Sequence, residues 1–341
     1  MYIILTGLFA SFFTAFVIFT PSSVQAGSMA KLLSPEQCGR VPLSILRAWP
    51  LTDFKQCTVP ISQVRSGGPG KDGIRSIEMP EFQPINLSSL ADAEPVITVS
   101  FNGEARTYPL QILIWHEIVN DVVGGVPVAV TYCPLCNASI VFDRRLDGQT
   151  LEFGTTGNLR RSDLVMYDRQ TESCFQQYDG TGLFGQLAGQ VLTALPARLE
   201  SVGAVRARDG NSLIMETPKG FLRPYGANPY VGYDSSAFPF LFDGEVPDDI
   251  RPLEYVVISG DNAWALDSLR EKGRIETENL ILEWQPGRAS ALDSRKIADG
   301  RDLGIVTVSK KNADGKTELA PYKISFAFVW HAFNPEADII R

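Results

Sequence analysis

The sequence predicts a mainly β fold of the α+β class, made of antiparallel hairpins that form a barrel or a sandwich with a few short helices. Turn residues are frequent, since the 341-residue chain contains 29 Gly and 22 Pro spread along its length. Turn dipeptides recur at hairpin spacing between β-branched runs, and long segments with a 3.6-residue apolar period are scarce. These observations favour many short strands over a helical architecture.

The first predicted hairpin is the clearest. A β-branched run over residues 96–101 leads into Asn102-Gly103, a strong short-range hairpin signal, and a second strand follows over residues 104–108. Residues 111–122 carry apolar side chains at helical spacing and predict a short helix. Residues 126–132 then form an apolar strand that leads directly into Cys133.

Two further hairpins are predicted downstream, with strand pairs at residues 138–144 and 150–154, and at 164–167 and 173–178. The glycine-bearing segment from residue 153 to residue 163 is interpreted as a polar connector. A weak internal repeat is also present: residues 96–99 resemble 256–258, residues 105–107 resemble 263–265, and Ala138-Ser139 resembles Ala289-Ser290. A duplicated β unit, with halves at residues 94–245 and 246–341, would explain it.

The N-terminus predicts export. Residues 2–19 are almost uninterruptedly apolar, and Val24-Gln25-Ala26 is typical of signal-peptidase cleavage, so residues 1–26 are predicted to be a signal peptide. The alternative is an uncleaved N-terminal membrane anchor, because no Lys or Arg precedes Lys31. We therefore expect a periplasmic or secreted protein, with no integral membrane partner implied beyond this segment.

The segment over residues 27–93 is predicted to be an irregular arm that precedes a β-rich domain over residues 94–341. Cys38 and Cys57 lie close together in this proline-rich arm. Because an exported protein meets an oxidising environment, a disulfide between them is expected. The net charge of −8, with no basic stripe, excludes nucleic acid as a partner.

Cys133-Pro134-Leu135-Cys136 is the stretch with the most chemical content, because two thiols three residues apart can converge on one metal ion or form a small disulfide. The chain has only two histidines, and His116 precedes the pair by 17 residues. With Cys133 and Cys136 it would form a Cys₂His ligand set with one open position, suited to copper or zinc. Cys174 or the Met166 thioether would complete the set.

Two other functions remain open. Cys133 and Cys136 could perform thiol–disulfide exchange, although the pair is predicted in a loop between strands and not at a helix N-terminus, where the thiol pKa would be lowered. A non-catalytic module could instead bind a small molecule through Tyr225, Tyr230 and Tyr233. His331 is expected to have a structural role in an apolar strand. None of these residue patterns indicates a particular reaction.

Several motifs together resemble the bacterial domain-of-unknown-function family numbered 3179, whose members are exported or membrane-linked. The resemblance spans roughly residues 95–233 and is carried by four stretches besides Thr131-Tyr132-Cys133-Pro134-Leu135-Cys136, namely residues 103–110, 119–121, 162–169 and 223–230. It implies His116, Cys133 and Cys136 as site positions. It places Cys174 where an apolar residue is expected, and it brings no reaction with it.

Overall fold

A computed structural model describes residues 29–312 and 314–341. The prediction of a mainly β fold is confirmed, since 36% of the residues lie in strands and 16% in helices. The structure also specifies the arrangement, which is five small sheets in a ring, like a five-bladed β-propeller. We number these sheets as blades 1 to 5. The predicted signal peptide, and the membrane anchor that is its alternative, lie outside the described residues.

Blades 1 and 2 are formed largely by the residues between 82 and 215. Blade 1 contains, in spatial order, Arg198–Ser201, Pro95–Phe101, Glu104–Pro109, Leu213–Met215 and Phe82–Pro84. Blade 2 contains, in spatial order, Ala194–Leu195, Ala138–Asp143, Val126–Cys133 and Ile118–Val123. Ala138–Asp143 is buried at every position, as expected for a strand covered on both faces.

Blade 3 is antiparallel throughout, and all of its strands except Arg65–Ser66 lie between two strands of blade 2 in the chain. Its strands, in spatial order, are Arg65–Ser66, Phe153–Arg160, Asp163–Asp168, Cys174–Gln176 and Gly182–Phe184. A separate two-stranded ribbon, Arg145–Leu146 with Gln149–Thr150, connects blade 2 to blade 3.

Blades 4 and 5 are formed by the C-terminal part of the chain. Blade 4 contains, in spatial order, Lys323–Phe326, Tyr255–Ser259, Asn262–Ala265 and Ile339–Ile340. Blade 5 contains, in spatial order, Arg274–Glu276, Leu280–Gln285, Ile305–Lys311 and Thr317–Leu319. Buried apolar side chains from both parts of the chain form one continuous core.

The topology of blades 1 and 2 recurs in blades 4 and 5. In each half, a hairpin leads through a seven-residue helix into an antiparallel sheet, and a later strand returns to pair with the first strand of the hairpin. A second seven-residue helix then leads to a strand that pairs parallel with the hairpin's second strand. Blade 3 is inserted only in the first half.

The upstream sequence matches of the predicted repeat coincide with this topology, because Val96 and Val256 both lie in the first hairpin strand of their half. The Ala-Ser match does not. Ala138 begins a strand, whereas Ala289 lies in the loop before Ile305–Lys311. The boundary between residues 245 and 246 stays a prediction.

Six short α-helices lie in the described residues: Pro35–Cys38, Leu43–Ala48, Leu110–His116, Val202–Arg208, Leu266–Lys272 and Ala327–Phe333. Four single 3₁₀ turns accompany them, at Ile61–Gln63, Ile85–Leu87, Tyr233–Ser235 and Ile297–Asp299. None of the helices in this part of the chain is long and apolar enough to cross a membrane.

The helix predicted over residues 111–122 is correct only in its first half. Glu117 has a φ of 60°, which ends the helix after His116. The β-branched residues that follow form the strand Ile118–Val123. His331 is likewise in a helix, Ala327–Phe333, and not in the strand expected for it.

The predicted hairpin turns are present, with two corrections. Residues 138–143 do not pair with residues 150–154: they pair with Val126–Cys133 and Ala194–Leu195, and only the short ribbon Arg145–Leu146 with Gln149–Thr150 flanks the second turn. Phe101 pairs with Glu104 across Asn102-Gly103, and the strands around residues 168–171 pair as expected. The segment interpreted as a polar connector is instead the strand Phe153–Arg160, which contains an irregularity between Thr155 and Asn158. Gly157, with a φ of 73°, allows Pro69 to approach so closely that a Cβ would lie 2.0 Å from its carbonyl oxygen.

The first part of the arm before residue 94 packs on blade 3, whereas Phe82–Pro84 forms the edge strand of blade 1. The Cys38–Cys57 disulfide is present, as predicted. Leu33 N donates to Cys57 O, and Thr58 N donates to Leu183 O, so backbone hydrogen bonds join the arm to itself and to the blade. A separate apolar cluster includes both disulfide cysteines, Trp49, Phe54, Phe184 and the free thiol of Cys174.

We predict that removal of this disulfide with the variant Cys38→Ala/Cys57→Ala lowers the free energy of unfolding by about 3 kcal/mol. The crosslink restricts the unfolded chain over a loop of about 20 residues. Chemical denaturation under oxidising conditions measures the loss. Reductant should destabilise the wild type by a similar amount and leave the double variant unaffected. An unchanged wild-type midpoint under reductant would contradict the prediction.

Candidate metal centre

The two thiols lie in a tight loop between two strands of blade 2, as the sequence predicts. Cys133 ends Val126–Cys133 and pairs with Ala138, the first residue of the next strand. Asn137 adopts a left-handed conformation with a φ of 49° and closes the loop with a hydrogen bond to Pro134 O. Both sulfurs are therefore held on one short turn. Neither lies at a helix N-terminus, where the helix dipole would lower the pKa of the thiol.

Hydrogen bonds with residues outside blade 2 hold this loop from several sides. Ser325 Oγ donates to Cys136 O over 2.8 Å, and Tyr233 OH donates to Leu135 O over 3.0 Å. Asn137 Nδ2 donates to Ile324 O over 3.3 Å. These bonds to backbone carbonyls fix the loop, so the positions of the two sulfurs are largely predetermined.

Asp163 is the third member of the site, and sequence reasoning missed it. The Sγ atoms of Cys133 and Cys136 and a carboxylate oxygen of Asp163 all lie within 4.8 Å of one another. Asp163 begins the second long strand of blade 3, and its side chain is completely buried. The turn before it consists of Arg161 and Ser162, whose φ angles are 55° and 67°.

This two-residue turn brings blade 3 to the thiols. Positive φ at both central positions is the geometry of a type I′ hairpin turn, for which Asn-Gly is favoured and Arg-Ser is unusual. In this conformation Ser162 O accepts from Cys136 Sγ over 3.3 Å and lies 3.9 Å from Cys133 Sγ. Backbone strain at this turn is thus coupled to the position of the cluster.

The two carboxylate oxygens of Asp163 have different environments. Oδ1 accepts from Gln176 Nε2 over 2.6 Å and from Tyr178 N over 2.9 Å. Oδ2 is buried and has no hydrogen-bond partner among the described residues. No Lys, Arg or His of that part of the chain forms an ion pair with this carboxylate. A buried acceptor without a partner is costly, and the positive charge of Lys323 acts on this carboxylate only from beyond ion-pair distance.

Burial dominates the acidity of the cluster. Loss of hydration raises the pKa of Asp163 to about 7, although the Gln176 and Tyr178 hydrogen bonds oppose the shift. It also raises the pKa of the Cys133 thiol, and raises that of Cys136 well above the usual value, with the Asp163 charge acting in the same direction. Without a cation, both thiols favour their protonated forms at neutral pH, whereas the Asp163 carboxyl group titrates near it.

Glu117 adds a second buried carboxyl group beside this cluster. Burial raises its pKa to about 8, and the negative charge of Asp163 contributes to the shift. Its backbone is tied to the site, because Tyr132 N donates to Glu117 O over 2.8 Å. The sequence around Glu117 does not indicate that its carboxyl group lies beside the cluster. The positive φ of this residue is seen only in the structure.

His116 lies one residue before Glu117, but the structure does not bring it into the three-atom group. Its Nδ1 lies 2.6 Å from Arg75 O, and its Nε2 lies 2.7 Å from Tyr225 OH. A carbonyl only accepts, so Nδ1 carries the proton and Nε2 accepts from the tyrosine. Burial lowers the pKa of His116, consistent with this neutral form. Its predicted role as a ligand stays a prediction.

The remaining candidate ligands lie elsewhere. Cys174 is buried beside the disulfide in the cluster under the arm. Met166 is buried in the main core, and His331 lies on the C-terminal helix. None of the three is in the group formed by the two loop thiols and Asp163.

The segment with Tyr225, Tyr230 and Tyr233 covers the site. Tyr225 contacts His116, Tyr233 contacts the cysteine loop, and Phe240 O accepts from Ser162 Oγ over 2.7 Å. Burial raises the pKa of both Tyr230 and Tyr233, and the cysteine thiolates would add to that effect. The aromatic loop and the thiol pair are therefore parts of one region of the molecule.

Comparison with known proteins gives one match. No curated protein and no solved structure matches this chain. Residues 71–337 match the family described as "Protein of unknown function (DUF3179)", which agrees with the resemblance carried by the cysteine motif and its neighbouring stretches. Since the match covers most of the chain, the protein belongs to this family.

Proposed function

We propose that this protein binds a transition-metal ion through Cys133, Cys136 and Asp163. The observation that carries the proposal is the second oxygen of Asp163, which is buried without a partner in the same group as two thiols. Metal–sulfur and metal–oxygen bonds of about 2.0–2.3 Å place any two ligand atoms within about 4.6 Å of each other. The grouping within 4.8 Å is compatible with that requirement after small adjustments.

The ligand types favour Zn(II) over Cu(I), the two ions that the sequence suggests. Two thiolates suit both ions, but a carboxylate oxygen is a hard ligand that zinc accepts and Cu(I) disfavours. Purely hard cations such as Mg²⁺ and Ca²⁺ are excluded by the sulfurs. We therefore assign zinc as the first candidate and copper as the alternative.

The electrostatics of the site support a cation. Cys133, Cys136 and Asp163 all resist ionisation because they are buried, and the cluster has no counter-charge in ion-pair contact among the described residues. A bound divalent ion would stabilise the two thiolates and the carboxylate, and its binding would release protons.

Three protein ligands leave a fourth position open, as in catalytic and exchangeable zinc sites. His116 is the nearest histidine in sequence, but to bind metal it would have to give up a hydrogen bond to Arg75 or to Tyr225. A water or a small ligand occupies such a position in other proteins at no comparable cost. No reaction follows from the ligand set alone.

The geometry gives thiol–disulfide exchange less support. A nucleophilic thiol needs a lowered pKa and access to its substrate. Cys133 and Cys136 are 1% and 0% exposed, and burial raises the pKa of both. The non-catalytic module is also weakened as a separate function, because Tyr225 and Tyr233 contact the site itself.

The extracytoplasmic location is part of the same proposal. A disulfide between Cys38 and Cys57 is typical of an oxidising compartment, and the apolar N-terminal run is typical of export. In such a compartment a bound metal would also protect Cys133 and Cys136 from oxidation to a disulfide.

We predict about one zinc ion per chain in protein purified without chelator, measured by elemental analysis. Cys133→Ser, Cys136→Ser and Asp163→Asn should each lower zinc affinity about a hundred-fold or more, since even indirect partners of a metal contribute 10–100-fold. Cys174→Ser is the matched control, because it removes a buried thiol outside the group and should retain the metal.

Two results would overturn this assignment: no transition metal in the wild type under metal-replete conditions, or equal metal in wild type and Cys133→Ser. The variant His116→Ala distinguishes a site with three protein ligands from a site with four. Unchanged affinity leaves three protein ligands, whereas a loss as large as that of Asp163→Asn adds His116 as the fourth.

A second prediction concerns the metal-free protein. The pKa of Asp163 is raised from 3.8 to about 7 on folding, so its contribution is fully favourable below pH 3.8 and is lost as the pH rises through 7. The wild type should lose at most about 4 kcal/mol of stability over this range relative to Asp163→Asn. Denaturation of both proteins in chelator, at pH 4 to 8, measures the difference.

The comparison with Asp163→Asn is necessary because Glu117 and Glu94, whose pKa values are also raised, change the stability of both proteins in the same direction. Zinc should reduce the pH dependence of the wild type alone. If the stability of the two metal-free proteins changed with pH in parallel, the pKa of Asp163 would not be raised in the folded protein.

A further inference from the structure

A cavity lies between blades 2 and 4, and the thiol cluster is not part of its lining. Its volume is about 230 Å³. Its walls are mainly apolar and include Ile140 and Phe142 of blade 2, Leu195 of the same blade, and Ile258 of blade 4. Apolar walls of this kind, with few polar groups, are typical of small-molecule sites.

One cationic side chain lies in this cavity. Lys323 begins the outer strand of blade 4, and its Nζ donates to Tyr178 O over 2.5 Å. The same atom lies 3.5 Å from the centre of the Tyr178 ring. No carboxylate of the described residues is within ion-pair distance of Lys323. Burial lowers the pKa of Lys323 to about 8, and the more distant charges of Asp179 and Asp163 oppose that shift. An ammonium group has three donors, so two remain available after the bond to Tyr178.

We propose that this cavity binds a small monocarboxylate with an apolar tail, whose carboxylate pairs with Lys323. A volume of 230 Å³ corresponds to about eight water molecules at roughly 30 Å³ each, and hence to a ligand of similar atom count. A six-carbon fatty acid has this size. The apolar walls bury its tail, and the two free N–H groups of the Lys323 ammonium donate to its carboxylate.

Asp179 defines the selectivity of the site. It is exposed, lies in the cavity wall, and its Oδ1 accepts from Thr181 N over 2.9 Å. With its first carboxylate on Lys323, a dicarboxylate would bring a second negative charge into a cavity with mainly apolar walls and one acidic residue, where it is costly to bury. The site should therefore accept monocarboxylates and reject dicarboxylates of the same length.

This inference concerns a different site from the metal proposal, because Cys133, Cys136 and Asp163 do not line the cavity. Lys323 is nevertheless close enough to Asp163 and Cys136 for their charges to act on its pKa. The test is calorimetric titration of the full protein with sodium hexanoate, hexan-1-ol and adipate. Hexanoate should bind about tenfold or more tightly than the other two ligands, since a charge-assisted hydrogen bond contributes that much. Metal content is measured in every variant, so failure of one proposal is distinguishable from failure of the other.

The variants test the same assignment. Lys323→Met should lower hexanoate affinity about tenfold or more, Lys323→Arg should restore most of it, and Asp179→Asn should raise it severalfold. Lys296→Met, an exposed lysine outside the cavity, is the matched control and should bind as the wild type does. Equal binding of hexanoate and hexan-1-ol, or hexanoate binding that Lys323→Met leaves unchanged, would overturn the proposal.

Discussion

The burial of two thiols and a carboxyl group in one small volume is the constraint on which the rest of the site depends. Ionisation of Cys133, Cys136 or Asp163 is disfavoured by loss of hydration, and each negative charge would also repel the others. A purely structural core would place apolar groups here at lower cost. The proposed cation would explain why three acidic groups are retained together, and the tight loops that hold these groups would reduce the reorganisation needed on binding.

Backbone strain around the candidate site is consistent with ligand positions that are fixed before an ion binds. Glu117, Asn137, Arg161 and Ser162 are non-glycine residues with positive φ, and all four lie in segments that border the thiols. Such conformations cost of order 1–3 kcal/mol each and persist where surrounding contacts enforce them. Here the contacts are specific: Asn137 bonds to blade 4, Ser162 bonds to Phe240, and Glu117 pairs with Tyr132. Each strained residue turns the chain at the point where a candidate ligand must face inward.

The part of the site that could be read from the sequence was the part encoded locally. The spacing of Cys133 and Cys136 requires only one hairpin loop to bring the sulfurs together, and that loop was predictable from the strands on either side. Asp163 lies 27 residues beyond Cys136 and meets it only because blade 3 folds back on blade 2. Its one sequence signal was a charged residue at the start of the buried run Asp163–Asp168, which was outweighed by the turn-like residues before it. For His116, proximity in sequence was a poor guide, because Glu117 ends the helix and its ring nitrogens bond to Arg75 and Tyr225.

The two halves of the molecule share a topology, but only the first half holds the candidate site. Both halves contain the hairpin, the helix and the antiparallel sheet, and in both a loop connects the strands equivalent to Val126–Cys133 and Ala138–Asp143. In the second half that loop runs from Gln285 to Ile305 without a cysteine, and no inserted blade follows the next strand. The first half has both changes: thiols in a short loop, and blade 3 inserted where its first turn can place Asp163 beside them. The scaffold alone therefore does not create the site. The site arises where the inserted blade meets the cysteine loop, which is why its third member comes from a different sheet than its first two.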